Sequence, residues 1–303
     1  MTKKFMGAVD IGGTKIQVGI VDAEGIVMKE KCIPTVTGEQ KAEKAIVSIV
    51  TILEEFCTQM GMTVSSLGGI GIACAGPVNV TKGIIENPYT LPGWEGYPIV
   101  KRMEELTGIT VKMENDANAA LLGEVLLRNL KYHKVLMLTF GTGIGAACWN
   151  RGFLYREGEY HPEMGHVIVA SYGETCYCRH KGCFESLCSG TAVNKRAQEI
   201  GYEDFNYLFQ AYKNGEEKAG IFIENFSQEI KNGLWNLSII FKPDIVILGG
   251  GLMKDYFEFV KEIILEDYGS ECEDFVYPFQ VLPASEQVNP ALAGANMILS
   301  GHE

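Results

Sequence analysis

Short apolar runs broken by glycine turns dominate the first forty residues and predict three strands, at 5–10, 15–22 and 26–33. Gly12-Gly13 separates the first two strands, and Ala23-Glu24-Gly25 separates the last two. Ala45, Ile46, Ile49, Val50, Leu53 and Phe56 then recur at helical spacing, predicting a helix over about 39–60. An apolar strand at 68–75 ends in Gly76-Pro77. A helix near 99–106, a strand near 110–113 and a helix over 116–127 follow, so the predicted order is βββαβαβα.

The opening pattern then recurs. A strand at 134–140 runs into the glycine turn 141–145, a returning strand at 146–150 and a further turn at Arg151-Gly152. Helices are predicted over 189–200 and 216–241, then a strand at 244–248 that enters Gly249-Gly250-Gly251 ahead of another helix. Two related α/β lobes facing a cleft are expected. Residues 1–118, completed by a C-terminal helix at 290–303, would form one lobe, and 119–289 the larger other.

A 303-residue chain with 47% hydrophobic residues can bury a substantial core. Its formal net charge of −12 argues against a nucleic-acid or anionic-membrane binder, since both need a basic surface. No apolar run is long enough to span a bilayer, and no signal peptide is visible, so a cytoplasmic protein is expected. Nine cysteines raise the question of disulfides. Cys32, Cys57, Cys74, Cys148 and Cys272 are scattered, however, whereas Cys176, Cys178, Cys183 and Cys188 cluster, which fits a reduced protein with a metal site.

The turn Asp10-Ile11-Gly12-Gly13-Thr14-Lys15 combines an acid, glycines, a hydroxyl and an ammonium. Its backbone N–H groups can form an anion-binding concavity. Asp10 is suited to Mg²⁺, and Thr14 and Lys15 to phosphate oxygens; a plain tight hairpin is the alternative. Gly141-Thr142-Gly143-Ile144-Gly145-Ala146 also satisfies the G-x-G-x-x-A dinucleotide fingerprint. That fingerprint needs a helix directly after the glycines, and the segment after residue 146 is strand-like, so an NAD-linked oxidoreductase is disfavoured. No Walker A sequence occurs. Gly249, Gly250 and Gly251 leave room for adenine or ribose, or reflect close packing.

Glu114-Asn115-Asp116 joins a strand to a helix. Asp116 is either a helix N-cap or the carboxylate that accepts a proton from an attacking hydroxyl. His166, Cys176, Cys178 and Cys183 offer an imidazole and three thiolates, a common set for tetrahedral structural Zn²⁺, with His180 as a competing ligand. Such a site would fix Glu163 and Glu185 on either side of it. His166 could face a ligand through its second nitrogen.

The motifs DIGGTK (10–15), AGPV (75–78), LPGW (91–94), ENDANAALLGE (114–124), FGTGIGA (140–146), EMGH (163–166), CYCRHKGCFE (176–185) and ILGGG (247–251) together resemble the ROK family of sugar kinases and repressors. That family lies within the actin, hexokinase and Hsp70 superfamily. The resemblance implies a two-lobed actin/hexokinase (ribonuclease H-like) α/β fold with a duplicated βββαβα core and an interlobe cleft. It implies ATP-dependent phosphorylation of a hexose, with Asp116 as catalytic base and Asn115, Asp116, Glu163, His166 and Glu185 as sugar ligands. Asp10, Gly12, Gly13, Thr14, Lys15, Gly141, Thr142 and Gly143 would contact phosphates, Gly249 to Gly251 adenosine, and His166, Cys176, Cys178 and Cys183 zinc. A homodimer or homotetramer is implied.

Two departures concern the sugar. Thr90 precedes LPGW where many glucose-type members have Asn, with Asn87 three residues earlier, and His161-Pro162 precedes EMGH, closer to fructokinase-like members. The expected reaction transfers the γ-phosphate to a primary hydroxyl, O6 of an aldohexose such as glucose. N-acetylmannosamine, N-acetylglucosamine, fructose and allose stand as alternatives, as does a non-catalytic sugar sensor. Repressor members carry an N-terminal DNA-binding extension, and with the first motif at Asp10 none is expected here.

Overall fold

A computed structural model of the chain describes residues 5–36, 38, 41–156, 161–267, 278–286 and 288–301. Cys272 lies outside the described residues. The chain divides into two compact units. Met1–Tyr132, Trp149–Pro162 and Ser285–Glu303 form the first, and His133–Cys148 and Glu163–Ala284 the second. The division falls after residue 132 instead of 118, and the last helical stretch is two short helices instead of one.

The first unit opens with strands β1 (Phe5–Ile11), β2 (Lys15–Asp22) and β3 (Val27–Pro34), then helix α1 (Lys41–Gln59) and strand β4 (Ile70–Cys74). A small hairpin, β5 (Val78–Asn79) and β6 (Ile84–Ile85), precedes α2 (Ile99–Thr107), β7 (Val111–Asn115) and α3 (Asp116–Leu127). The sequence does not predict this hairpin, because two-residue strands leave no periodic signature.

The second unit repeats the pattern with β8 (Lys134–Phe140) and β9 (Ile144–Asn150), followed in the chain by the short β10 (Phe153–Leu154). The helices α4 (Phe184–Cys188), α5 (Gly190–Glu199), α6 (Phe205–Lys213) and α7 (Glu217–Phe241) lead to β11 (Ile245–Gly249), α8 (Gly251–Asp267) and β12 (Gln280–Pro283). Helices α9 (Pro290–Ala293) and α10 (Ala295–Ser300) belong to the first unit. The expected helix at 189–200 starts one turn earlier as α4, and Ser189, whose hydroxyl accepts from Ala192 N, divides α4 from α5. Helix α6 and strand β12 were not expected.

Duplication is visible in the sheets. The first runs β3-β2-β1-β4-β7 and the second β10-β9-β8-β11-β12. In the first, β1 pairs antiparallel with β2 and parallel with β4, which pairs parallel with β7. In the second, β8 and β11 pair parallel, as do β11 and β12.

Strand parity decides what each face meets. In β1, Val9 and Ile11 pack with Ile46, Ile49 and Leu53 of α1. Met6 and Ala8 point the other way, onto Leu292 and Ala295 at the C-terminal end of the chain. Asp10 shares the parity of Met6 and Ala8, so its carboxylate is delivered to the side where α9 begins. The second unit buries Leu136, Leu138, Phe184, Phe226 and Leu248 in one core.

Helices α3 and α9 touch backbone to backbone. A Cβ on Gly123 would lie 1.9 Å from the carbonyl oxygen of Pro290. Overpacking at such a contact forces the backbone apart. Gly123→Val should therefore lower stability by about 3 kcal/mol or more, read as a drop in the first unit's unfolding midpoint in urea.

Candidate functional site

In the first unit, the parallel strands β1, β4 and β7 end in register, with Ile11 beside Cys74 and Cys74 beside Asn115. Asp10 and Asp116 thus stand at the ends of two strands that flank β4. Asn115, not Asp116, caps α3: its Oδ1 accepts from Ala117 N at 3.0 Å and from Asn118 N at 3.3 Å. Capping by the neighbour leaves Asp116 one oxygen, Oδ1, tied to Ala117 N (2.9 Å) and Asn115 Nδ2 (3.0 Å).

Burial, then the charge of Asp10, raises the Asp116 carboxyl to about 6, while His161 and the backbone N–H of Ala117 oppose the shift. Burial likewise raises Asp10, against the Asn289 amide and the Lys15 charge. Asn289 Nδ2 donates to Asp10 Oδ2 at 3.0 Å, and its Oδ1 caps α9 at Ala291 N, 2.9 Å away. Cys74, fully buried between the two acids, has its thiol pushed well up by that burial and by both carboxylates.

His161 and Asn289 were not identified as functional from the sequence. His161 packs over Gly76, where a Cβ would lie 2.6 Å from its Cε1 and 2.9 Å from Asn115 Nδ2. Arg156, which precedes it, pairs with the buried Glu114 of β7. Asn289-Pro290 carried a usable signal, an N-cap residue followed by proline at the first helical position.

The turn after β1 is closed by Gly12 N donating to Lys15 O at 3.0 Å, and Thr35 Oγ1 donates to Gly12 O at 2.6 Å. Gly13 lies against Thr90, whose backbone oxygen would be 3.1 Å from a Cβ there. The Asn87 amide is consumed within the first unit, donating to Ala75 O (3.1 Å) and Thr90 Oγ1 (2.6 Å) and accepting from Tyr89 N and Thr90 N.

In the second unit, Gly141, Thr142 and Gly143 turn β8 straight into β9, with Gly141 N donating to Gly143 O at 2.9 Å. The strand resumes at Ile144, so the turn is shorter than expected and no helix follows it. The dinucleotide geometry is thereby absent. A Cβ on Gly143 would lie 2.3 Å from Glu185 Oε2, the oxygen that accepts from Ile144 N at 2.9 Å. Glu185 is therefore fastened to the glycine turn itself. Gly249 and Gly250 are close-packed, on Ala284 Cβ and the Phe140 backbone respectively, while Gly251 opens α8 with nothing within 4 Å of a Cβ.

Glu163 precedes a single 3₁₀ turn (Met164–His166), and His166 N donates to Glu163 O at 3.1 Å. One donor atom from each of His166, Cys176, Cys178 and Cys183 lies within 4.8 Å of the others. His166 Nδ1 is 3.6 Å from Cys176 Sγ, and the sulfurs of Cys178 and Cys183 are 3.4 Å apart. A tetrahedral zinc with thiolate and imidazole ligands needs donor separations of about 3.5–3.8 Å, so the set fits that ion. His180 is 4.0 Å from Cys178 Sγ and is turned toward the Cys178 carbonyl, outside the four-donor group.

The second nitrogen of His166 does not open onto free space. Its Nε2 is 2.8 Å from the Tyr177 hydroxyl, which also bonds Glu185. Tyr177 has no signature in the sequence, because a residue between two clustered cysteines has no pattern of its own.

The ROK family profile matches residues 6–301. Similar proteins include a glucokinase of Thermotoga maritima, 28% identical over 98% of this chain and 96% of its own length. An N-acetylmannosamine kinase of Vibrio vulnificus is 29% identical over 95% of both. Among solved structures, a ROK hexokinase from Thermus thermophilus superposes with TM-score 0.84 at 28% identity over 97% of both chains. A ROK glucokinase from Streptomyces griseus, in complex with glucose and AMPPNP, gives TM-score 0.71 at 26% identity over 98% of this chain and 100% of its own. Among the described residues, no helix is long and apolar enough to cross a membrane.

Two outcomes follow. Because the Asp116 carboxyl is raised from 3.8 to about 6, the folded state holds its proton more tightly than the unfolded state does. The stability this confers is complete below about pH 4 and lost as pH rises through about 6. Asp116→Asn should therefore be more stable than the parent at pH 8 by at most about 3 kcal/mol, and lose that advantage by pH 4, in urea unfolding. Metal analysis of protein purified without chelator should find about one zinc per chain; a metal-free protein with unchanged melting temperature would refute the site.

Proposed function

Because the chain belongs to the ROK family, we propose that it is an ATP-dependent sugar kinase that phosphorylates a primary hydroxyl of a hexose, O6 of an aldohexose such as glucose. One observation carries the reading: the partly buried Asp116, relieved of capping by Asn115 and with its carboxyl at about 6. A base titrating there is ionised at neutral pH yet still basic enough to accept an alcohol proton as the alcohol attacks.

Each unit contributes its own residues. In the first, Asp116 receives the proton, and the Asn115 amide, 3.0 Å from Asp116 Oδ1, orients the carboxylate. Asp10 and Asp116 offer the hard oxygen donors that suit Mg²⁺, with Asp10 the residue that would hold it. When bound, that ion neutralises phosphate charge as it develops. Thr14 and Lys15 of the first glycine turn would take phosphate oxygens.

In the second unit, Glu163, His166 and Glu185 would bind the remaining sugar hydroxyls. The turn at Gly141, Thr142 and Gly143 would take phosphates, and Gly251 leaves the open space suited to adenosine. Zinc, held by His166, Cys176, Cys178 and Cys183, would stabilise the loop that carries these sugar ligands without entering the chemistry. The glucokinase and N-acetylmannosamine kinase relatives support a hexose-type acceptor.

A coupled ADP-release assay across glucose, fructose, allose, N-acetylmannosamine and N-acetylglucosamine tests the proposal. Turnover with at least one sugar is expected, with kcat/KM rising through about pH 6 as Asp116 ionises. Asp116→Ala should lower kcat by about 10²–10⁴-fold with sugar binding partly kept. Unchanged turnover in that variant would remove Asp116 from the mechanism.

A further inference from the structure

The corner made by Glu163, His166 and Glu185 already contains a hydroxyl, and it belongs to the protein. Tyr177 Oη lies 2.8 Å from His166 Nε2, and its ring meets the imidazole edge-on, with centroids 4.9 Å apart and planes at 86°. The same hydroxyl bonds Glu185 and lies within the field of Glu163. A phenol hydroxyl donates and accepts as a sugar alcohol does, so Tyr177 satisfies the groups that a sugar hydroxyl would satisfy.

Its backbone is held. Tyr177 sits between the donors Cys176 and Cys178, in a turn closed by Cys176 N donating to His180 O at 2.8 Å and Arg179 N donating to Cys176 O at 2.8 Å. Thr175 and Lys181 bridge across the base of this turn. The ring is 57% exposed, but the loop cannot carry it away without breaking the four-donor cluster.

We propose that Tyr177 determines substrate specificity by reserving this corner for a plain hydroxyl and excluding sugars that present an acetamido group there. The inference rests on the reading that Glu163, His166 and Glu185 receive the sugar. A hydroxyl can share or replace the phenol's bonds to His166 and Glu185 within the space beside the ring. An acetamido group adds a carbonyl and a methyl that a plain hydroxyl lacks, and that added bulk meets the ring. Selection of this kind, by shape, gives ratios on the order of 10²-fold.

The test compares kcat/KM for glucose and fructose with that for N-acetylmannosamine and N-acetylglucosamine, in the parent, Tyr177→Ala, Tyr177→Ser and Tyr177→Phe. Zinc content and melting temperature would check that each variant is intact. The parent should favour the unsubstituted sugars by about 10²-fold. The Ala and Ser variants should narrow that ratio by about tenfold or more, through a lower KM for the acetamido sugars. Phe, which keeps the ring, should retain the ratio while changing KM for the unsubstituted sugars. A parent that prefers acetamido sugars, or a ratio unmoved in intact Ala and Ser variants, overturns the inference. If no sugar releases ADP, the kinase reading fails separately, and calorimetric binding of the same sugars to the same variants still decides the role of Tyr177.

Discussion

Two carboxylates held close together at the ends of parallel strands are the constraint around which the first unit is arranged. The charge of Asp10 raises the cost of ionising Asp116, and burial raises that cost for both. The fold compensates locally. Asn289 donates to Asp10, the Lys15 ammonium draws its pKa down, Asn115 and the Ala117 N–H donate to Asp116, and His161 opposes the upward shift of Asp116. These partners come from β2, the end of β7, the start of α3, the segment before residue 163 and the start of α9. Conserving the charge pair therefore requires chain segments far apart in sequence to return to one sheet end.

That return explains why the last helices belong to the first unit. Helix α9 brings Asn289 to Asp10 through its N-cap, and it fits there because Gly123 and Gly294 let α3 and α9 meet without side chains between them. A Cβ on Gly294 would lie 2.2 Å from the Ala119 carbonyl oxygen. Packing and electrostatics are coupled at this point, since the contact that seats α9 also places the amide that serves the acid.

The second unit uses the repeated sheet differently. Its glycine turn is fastened to Glu185 through Ile144 N, and Glu185 is fixed by Phe184, which is buried against Phe140 with ring centroids 5.7 Å apart. Behind α4, the buried Glu229 of α7 accepts from Arg196 at 2.7 and 2.9 Å and from the Tyr172 hydroxyl at 2.9 Å. Arg196 also donates to Leu187 O at 2.7 Å. This charge-assisted network ties α4, α5, α7 and the chain entering the four-donor loop into one body. The side chains facing outward, Glu163, His166, Tyr177 and Glu185, are thereby placed by buried neighbours.

Local patterns in the sequence determined much of this protein. Glycine turns after apolar strands, the duplicated strand-turn-strand opening, the Asn-Asp step before α3 and the His/Cys spacing are all written within short windows, where propensity and periodicity act. What they left undecided is what depends on distant pairing. Whether Asn115 or Asp116 capped α3 turned on which side chain reached back to the helix N–H groups, and both types can do so. His161 and Asn289 joined the acids only because sheet parity and the α3–α9 contact brought them there. Tyr177 became a neighbour of His166 and Glu185 only when the loop closed on itself. Contacts between residues far apart in the chain have no local signature, so tertiary packing alone chose them.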